Sequence, residues 1–277
     1  MRARLITIDL DGTLIDESLE VSAADRAAIR KALAAGASIC LATGRLFAAA
    51  EPFARTLGLR GPIIVLQGSA VYDLSTQALV HCVPLAPATA LRAYQALKRS
   101  GFHLQLYFGD TLFVDHVDDR AERYIALARV KPTVVKDLRA LLDGAPPPAP
   151  GPMKVLGIDD EAKVAAMIAQ LGAELGAAAN VFKSQPTYLE VTDRRADKGT
   201  ALRWVADSLD VPLARTAAIG DSDNDVPMLE IAGYAFAVGN ATPAAKAASR
   251  TVVAAQSSNG VSDAIARLLA QGGDVSG

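Results

Sequence analysis

The feature that most constrains this chain is a short apolar run that ends in two carboxylates. Residues 5–8 are Leu-Ile-Thr-Ile, a pattern that predicts a buried strand, and Asp9 and Asp11 follow at its end. In extended backbone, residues i and i+2 project to the same side, so both acids can converge on one point. Gly12 allows the chain to turn away sharply. Such an arrangement suits a metal-assisted reaction centre better than a hydrophobic core.

Strand and helix patterns alternate through the N-terminal part of the chain. Ser22 is placed to cap a helix that ends at Gly36, and a second helix is expected over residues 46–57. Apolar runs at 38–42 and 63–66 predict the next two strands. This alternation implies parallel strands joined by right-handed crossovers. We therefore expect an α/β fold with a doubly wound, Rossmann-like parallel sheet.

The middle of the chain has a different pattern. Two β-like runs, 102–107 and 111–115, flank Gly109-Asp110, which is a hairpin signal. Residues 143–152 are rich in Pro, Ala and Gly and predict an exposed loop. After Lys198 the β/α alternation returns. This order predicts an α+β domain inserted into the doubly wound domain.

Composition bounds the function classes. The chain has 277 residues and a formal net charge of −2, which gives no electrostatic reason to expect nucleic acid or an anionic membrane as partner. No run approaches the roughly 18 apolar residues of a membrane span. Cys40 and Cys82 lie in apolar stretches and are expected to be buried free thiols. The apolar stretch after the basic start meets Asp9 too soon for a signal peptide, so we expect a cytoplasmic protein.

Four groups of polar residues fall at the ends of predicted elements. Besides Asp9 and Asp11, these are Thr43-Gly44-Arg45 after the second strand, Lys198 at a helix start, and residues 220–225, Gly-Asp-Ser-Asp-Asn-Asp, after a later strand. In open parallel sheets, ligands bind beyond the carboxyl ends of the strands. These groups are therefore expected to meet.

The chemical inventory indicates phosphoryl transfer. Hard oxygen ligands without a His or Cys cluster favour Mg²⁺ over zinc. The hydroxyl of Thr43 and backbone N–H groups near Gly44 can hold phosphoryl oxygens, and Lys198 supplies a point positive charge. One carboxylate can attack phosphorus, while the other can protonate the departing oxygen and then activate water.

Each group alone has a simpler interpretation. Asp-Gly after a strand is common turn chemistry, Thr43-Gly44-Arg45 can be a turn with a surface arginine, and Lys198 can be a solvated helix residue. Residues 220–225 could form an acidic or Ca²⁺-binding loop, but no glutamate stands at position 12 of an EF-hand register begun at Asp221 or Asp223. The joint occurrence of all four, in this order and at strand ends, favours the functional interpretation.

Together the four motifs resemble those of the haloacid dehalogenase superfamily of phosphatases, and within it the Cof-type class (class IIB) with its large α/β cap. The first motif, Asp-x-Asp-Gly-Thr, matches residues 9–13. The second, a Ser or Thr at a strand end, matches Thr43, and the Thr-Gly-Arg form is typical of the Cof class. The third-motif lysine matches Lys198, and the fourth, Gly-Asp-x-x-Asn-Asp, matches residues 220–225.

The resemblance implies roles for individual residues. Asp9 is expected to be the nucleophile and Asp11 the general acid/base. Mg²⁺ is expected to be held by the Asp9 side chain, the Asp11 carbonyl and Asp221, with Asp225 near the metal shell. The residues expected to bind the phosphoryl group or orient the site around it are Thr43, Gly44, Lys198 and Asn224.

The resemblance also implies a domain plan. The core is expected to comprise residues 1–83 and 187–277, and the inserted α/β cap residues 84–186. One departure concerns the position after the third strand, where Cof-type proteins usually carry Asn-Gly-Ala and this chain has Gln67. The longer Gln67 side chain can still form hydrogen bonds, but it is expected to change the geometry of the site on the side where the substrate binds. Arg194 and Arg195 are expected to be solvated.

The function expected from these observations is hydrolysis of a small phosphorylated metabolite, with sugar phosphates as one option, through a phosphoaspartate. The alternatives are a phosphomutase or specialised sugar-phosphate phosphatase of the same cap class, and a phosphometabolite-binding regulator without turnover. The chain retains Asp9, Asp11, Lys198 and Asp221, and this complete set weighs against a regulator without turnover. His81, His103 and His116 share no ligand spacing and are expected to be structural. The sequence leaves the oligomeric state open.

Overall fold

A computed structural model describes residues 3–143 and 151–270. Most of the predicted loop at 143–152 therefore lies outside the described residues. The strands are β1 (Leu5–Asp9), β2 (Ser38–Ala42), β3 (Pro62–Val65), β4 (Ala70–Asp73), β5 (Leu79–Cys82), β6 (His103–Phe108), β7 (Thr111–Val114), β8 (Thr133–Val134), β9 (Lys154–Ile158), β10 (Ala179–Gln185), β11 (Tyr188–Asp193), β12 (Thr216–Gly220), β13 (Tyr234–Ala237) and β14 (Thr251–Val252).

The helices are α1 (Ala23–Ala34), α2 (Phe47–Thr56), α3 (Pro87–Arg99), α4 (Asp119–Ala128), α5 (Leu138–Leu142), α6 (Glu161–Leu175), α7 (Lys198–Ser208), α8 (Val226–Ile231), α9 (Pro243–Ala248) and α10 (Gly260–Ala270). In the described part of the chain, no helix combines the length and apolar character that crossing a bilayer requires.

The first sheet has eight strands in the order β14-β13-β12-β1-β2-β3-β4-β5. Its strands are parallel from β14 to β3, and the hairpin strands β4 and β5 add antiparallel pairs at one edge. All five residues of β1 are buried, as expected for a central parallel strand covered on both faces. The predicted α/β fold with a doubly wound parallel sheet is confirmed.

Side-chain capping defines two helix starts that position the chain around this sheet. The Ser22 hydroxyl accepts a hydrogen bond from the Asp25 backbone N–H at 3.0 Å and begins α1. Asp197 accepts from the Thr200 N–H at 2.7 Å, within a reciprocal capping box that begins α7. The second cap fixes Lys198 in the first turn of its helix.

The second sheet has six strands in the order β10-β11-β9-β6-β7-β8 and is antiparallel except for the β7–β8 pair. The predicted hairpin around Gly109-Asp110 is confirmed by the pairing of β6 with β7. One face of this sheet packs against α3 and α6 in a hydrophobic cluster of its own. That cluster includes Leu97, Leu104, Val155, Leu171 and Val191.

The predicted domain boundary at residue 186 falls inside this second sheet. After Gln185 the chain turns and continues as β11, which pairs with both β9 and β10 and ends at Asp193. Leu189 and Val191 of β11 are buried in the cluster of the second sheet. Pro186 therefore marks a turn inside the sheet and not its end. We call residues 84–193 the second-sheet region.

The other face of the second sheet packs on the first region. Tyr107, Leu112 and Leu156 belong to the same buried cluster as the strands of the first sheet. Cys40 is a buried free thiol, as predicted, whereas Cys82 is free but only partly buried.

Candidate active site

Three neighbouring strands of the first sheet bring the predicted polar groups to one edge. β1 pairs in parallel with β2 on one side and with β12 on the other. Asp9 is the last residue of β1, Thr43 follows β2, and Asp221 follows β12. Because parallel strands end at the same edge, residues far apart in sequence become neighbours. The predicted meeting of these groups occurs in the structure.

Lys198 lies between two carboxylates in a fully buried ion cluster. Its Nζ donates to Asp9 Oδ1 at 2.5 Å and to Asp225 Oδ1 at 2.6 Å. Burial raises the pKa of Asp9 well above its usual range, and nearby Asp225 adds to this effect against the opposing Lys198. Burial alone would lower the pKa of Lys198, but the two carboxylates outweigh it and raise that pKa. Negative charge is therefore costly in this cluster, and a cation bound there would lower that cost.

Asp225 organises the loop that carries Asp221. Its Oδ2 accepts hydrogen bonds from the backbone N–H groups of Asp221, at 2.9 Å, and Ser222, at 3.0 Å. A Cβ atom at Gly220 would lie 2.6 Å from the Asp225 Cβ, so the close approach requires glycine there. Both oxygens of Asp225 are therefore engaged within the protein.

The acidic residues at this edge fit a hard divalent cation. Carboxylate oxygens of Asp9, Asp221 and Asp225 lie within 4.8 Å of one another. Asp9 Oδ2 is buried and has no hydrogen-bond partner among the described residues. Burial, reinforced by Asp225, raises the pKa of Asp221 to about 6, although the Thr13 hydroxyl donates to it at 2.9 Å. Clustered, desolvated carboxylate oxygens are the donors that Mg²⁺ or Ca²⁺ takes.

Asp11 is held by an arginine that sequence reasoning did not assign to the site. Arg45 Nη2 lies 2.6 Å from Asp11 Oδ1, and Arg45 Nε lies 2.9 Å from Asp11 Oδ2. Arg45 is only 8% exposed, which excludes the simpler interpretation of a turn with a surface arginine. Its position beside Thr43-Gly44 was the available signal, but spacing alone does not show that the guanidinium turns back toward β1. The Thr43 hydroxyl accepts the Arg45 backbone N–H at 3.2 Å.

The Gln67 side chain contacts Gly44 and Asn224, two of the predicted phosphate-binding residues. It is buried, has a φ of 60°, and its Oε1 accepts a hydrogen bond from Asn224 Nδ2 at 2.9 Å. A Cβ atom at Gly44 would lie 2.4 Å from Gln67 Nε2, so a larger residue at that position would displace the Gln67 amide. The longer amide is thus accommodated by packing against Gly44 and bonding to Asn224.

A cavity of about 280 Å³ lies over this edge and is closed by the second-sheet region. The first region contributes the acidic cluster and its neighbours. The second-sheet region contributes Tyr124, Leu127, Ala128, Lys154, Ser184, Gln185, Tyr188 and Glu190. The volume lies at the lower end of ligand pockets, so it suits a small molecule.

The second-sheet wall contains a buried ion pair that the sequence analysis missed. Lys154 Nζ lies 3.2 Å from Glu190 Oε2, and both side chains are almost fully buried. The Ser184 hydroxyl donates to Glu190 Oε1 at 2.6 Å. These residues come from three different strands of the second sheet, and no motif spacing connects them.

The histidines lie apart from the acidic cluster. His81 stacks on Trp204 with ring centroids 4.8 Å apart. His103 and His116 come together, with centroids 5.2 Å apart, in contrast to the expectation that the histidines share no grouping. The neighbouring Asp118 carboxylate is already bound by Arg120 and by the N-terminal N–H groups of α4. Arg194 and Arg195 are exposed, as expected.

The sequence and the fold of this chain are similar to those of known hydrolases and phosphatases. The sequence pattern of the haloacid dehalogenase-like hydrolases matches residues 6–265. A phosphoglycolate phosphatase from Pyrobaculum aerophilum is 30% identical and aligns over 98% of each chain. The pyridoxal phosphate phosphatase YbhA from Escherichia coli is 26% identical, over 97% of this chain and 98% of the relative. A HAD/COF-like hydrolase structure from Plasmodium vivax has a TM-score of 0.86 at 20% identity, over 98% of this chain and 96% of that one.

Proposed function

Because this chain belongs to the haloacid dehalogenase-like hydrolases, in their Cof-type branch, and is a phosphatase, we propose that it hydrolyses small phosphorylated metabolites with Mg²⁺ through a phosphoryl group carried on Asp9. The observation that carries this proposal is the buried Asp9 carboxylate. One of its oxygens is held by Lys198 at 2.5 Å, and the other has no hydrogen-bond partner in the described part of the chain. A desolvated, oriented carboxylate with one free oxygen is suited to attack phosphorus.

The proposed metal ligands are the Asp9 and Asp221 side chains and the Asp11 backbone carbonyl. Asp225 lies within the same cluster, but its oxygens already bind Lys198 and the backbone of the loop. We therefore assign Asp225 to the shell around the ligands. When bound, Mg²⁺ neutralises these carboxylates together with the phosphate and polarises the phosphoryl oxygens.

In the first half-reaction, the free oxygen of Asp9 attacks phosphorus. Lys198, the Thr43 hydroxyl and the backbone N–H groups near Gly44 hold the phosphoryl oxygens. The bond from phosphorus to the leaving oxygen breaks, and Asp11 donates a proton to that oxygen. Asp9 then carries the phosphoryl group as an acyl phosphate.

In the second half-reaction, Asp11 accepts a proton from water as that water attacks phosphorus. The bond between Asp9 and phosphorus breaks, inorganic phosphate leaves, and Asp9 returns to its carboxylate form. Arg45 fixes the direction of the Asp11 carboxylate through its two short contacts. Asp11 ends the cycle in the acid form in which it began.

We further propose that the second-sheet region is the cap that selects the leaving group. This places the cap at residues 84–193 and the core at residues 1–83 and 194–277. The two named phosphatase relatives have similar identities but different substrates in their names, so neither substrate transfers to this chain. The net charge of −2 supports the further predictions that neither nucleic acid nor a membrane is a partner. A cytoplasmic location stays a prediction.

The metal requirement is tested with an aryl phosphate and measured release of inorganic phosphate. EDTA should abolish the release and Mg²⁺ should restore it, because clustered carboxylates otherwise repel the phosphate. Asp221→Asn should raise the Mg²⁺ concentration needed for half-maximal activity. Asp223→Asn is the matched control, since Asp223 lies in the same loop but bonds to the Thr242 hydroxyl. Full activity in metal-free buffer would contradict the proposal.

A further inference from the structure

Two contacts cross from the second-sheet region to one short segment of the core. Lys154 Nζ, at the start of β9, donates to the Gly44 carbonyl oxygen at 3.1 Å. The Asp110 carboxylate, in the turn between β6 and β7, accepts the Ala48 backbone N–H at 3.0 Å. The two contacts lie on either side of Arg45. Residues 43–48 are thus fastened at both ends by the other region, and we call these two contacts the clamp.

Asp110 supplies a helix cap that α2 lacks. The residue before α2 is Leu46, which has no side-chain acceptor for the first N–H groups of the helix. Asp110 takes that place from the second-sheet region, and its negative charge is favourable at a helix N-terminus. Burial raises the pKa of Asp110, while the bonds from the α2 backbone oppose that rise. The cap of α2 therefore depends on how the two regions dock.

Lys154 makes the second half of the clamp from a fully buried position. Its ammonium has Gly44 O at 3.1 Å, Glu190 Oε2 at 3.2 Å and the Tyr107 ring centroid at 4.4 Å. A buried ammonium that loses a partner costs considerable free energy. The Gly44 carbonyl is its only partner among these three that belongs to the core. The contact with Gly44 is therefore one that only the docked state provides.

The segment between the two contacts carries the groups that orient Asp11. Thr43 Oγ1 accepts the Arg45 backbone N–H, and the Arg45 side chain binds the Asp11 carboxylate. A displacement of the 43–48 backbone would move the guanidinium away from Asp11. The orientation of Asp11 is thus mechanically connected to the docking of the second-sheet region.

We propose that Asp110 and Lys154 are positioning residues that couple docking of the cap to alignment of Arg45 and Asp11. Docking fastens residues 43–48 at both ends and so aligns Arg45 and Asp11. The site is therefore complete only when the second-sheet region covers the leaving-group side. The clamp itself follows from the contacts, whereas its effect on turnover rests on the proposed role of Asp11. Neither residue needs to touch the phosphoryl group.

The first test compares two helix-capping aspartates. Asp110→Ala removes the cap of α2, and Asp160→Ala is the matched control, because Asp160 caps α6 inside the second-sheet region through the Lys163 N–H at 2.9 Å. Both variants should lose similar thermal stability. Only Asp110→Ala should lower kcat on an aryl phosphate, by about fivefold, the factor that corresponds to a typical lost cap. Asp110→Asn retains an acceptor oxygen and should recover most of that loss.

The lysine contact is tested in a variant that leaves no buried charge unpaired. Lys154→Met combined with Glu190→Gln should also lower kcat. Adding Asp110→Ala to this double variant should cost less than the product of the separate effects, because both changes release the same segment. Strictly multiplicative losses would mean that the two contacts act independently, and would overturn the coupling.

Hydrogen exchange gives a readout that does not depend on turnover. In wild type with Mg²⁺ and inorganic phosphate, backbone amides of residues 43–56 should exchange slowly. They should exchange faster in Asp110→Ala but not in Asp160→Ala. Equal exchange and equal kcat in these two variants would overturn the proposal. If wild type released no phosphate while residues 43–56 still responded to Asp110→Ala, the proposed function would fail and the clamp would stand.

Discussion

The two sheets of this protein differ in the balance of the charges that are buried beside them. At the edge of the first sheet, Lys198 binds two carboxylates, and Asp221 lies beside them, so negative charge exceeds positive charge in a buried place. On the facing wall of the second sheet, Lys154 and Glu190 pair one to one. Excess buried charge is costly and persists where a ligand or reaction uses it. A balanced pair offsets part of that cost by mutual attraction while it lines the pocket.

The difference follows from sheet topology. Parallel strands end at a common edge, where loops from distant parts of the chain place reactive groups. The antiparallel second sheet instead presents a face, on which alternate residues of each strand point toward the pocket. In the proposed function, this difference assigns the chemistry to the loops of the first sheet and the selection of the leaving group to the face of the second.

Among the three predictions that compare the two sheets, the largest effect should come from removing the charge at the centre of the first-sheet cluster. Lys198→Met leaves Asp9 and Asp225 without their shared cation. We expect kcat to fall by roughly 10²- to 10³-fold, as for loss of a group that stabilises developing charge. Thermal stability should also fall when Mg²⁺ is absent. The control is Lys163→Met, which removes a lysine that pairs with Asp159 in the second-sheet region. Activity of Lys198→Met within tenfold of wild type would remove the distinction between the sheets.

A smaller and more selective effect should follow changes on the second-sheet wall. Gln185→Ala and Tyr188→Phe alter polar groups that line the cavity. We expect kcat/KM to change by about tenfold for some phosphate esters and little for the smallest, because these groups would contact only the leaving group. The measurement is a panel of esters of increasing size. Equal losses for every ester would show that the wall takes part in the chemistry.

The smallest effect should be a pH dependence of the free energy of unfolding that arises from one histidine in the second-sheet region. Burial lowers the pKa of His103, against the opposing Asp118 carboxylate, so the folded state favours the neutral ring. The unfolded chain, with a pKa near 6.5, binds the proton more readily below that value. The stabilising contribution is therefore lost as the pH falls below about 6.5. Between about pH 7 and pH 5, His103→Gln should lose less free energy of unfolding than wild type in denaturant titrations. Identical pH dependence would contradict this assignment.

The sequence predicted the parts of the site that lie at strand ends. Asp9, Thr43 and Asp221 could be assigned because short apolar strands, followed at once by polar residues, define an edge of the parallel sheet. Lys198 was assigned from its place at a helix start. The sheet order and the neighbourhood of β1 then brought them together. The roles of these residues in the reaction stay predictions.

The sequence did not predict contacts that depend on where a side chain turns. Arg45 folds back onto Asp11, and Gln67 reaches Asn224, although neither distance follows from spacing. The pairing of Lys154 with Glu190 depends on the register between β9 and β11, which no local pattern reveals. The extension of the second sheet past residue 186 was missed for the same reason, because Pro186 is as compatible with a turn inside a sheet as with the end of one.

The central claim is that Asp9 carries the phosphoryl group, and the most direct test is to trap it there. Wild type mixed with Mg²⁺ and an aryl phosphate is quenched in acid within the first turnover, digested, and examined by mass spectrometry. The peptide that contains Asp9 should gain the mass of one phosphoryl group, with fragmentation that assigns it to Asp9. Asp9→Asn should show neither this adduct nor phosphate release above about one thousandth of the wild-type rate, because an amide does not attack phosphorus. Phosphate release by Asp9→Asn near the wild-type rate, or an adduct on another residue, would contradict the account.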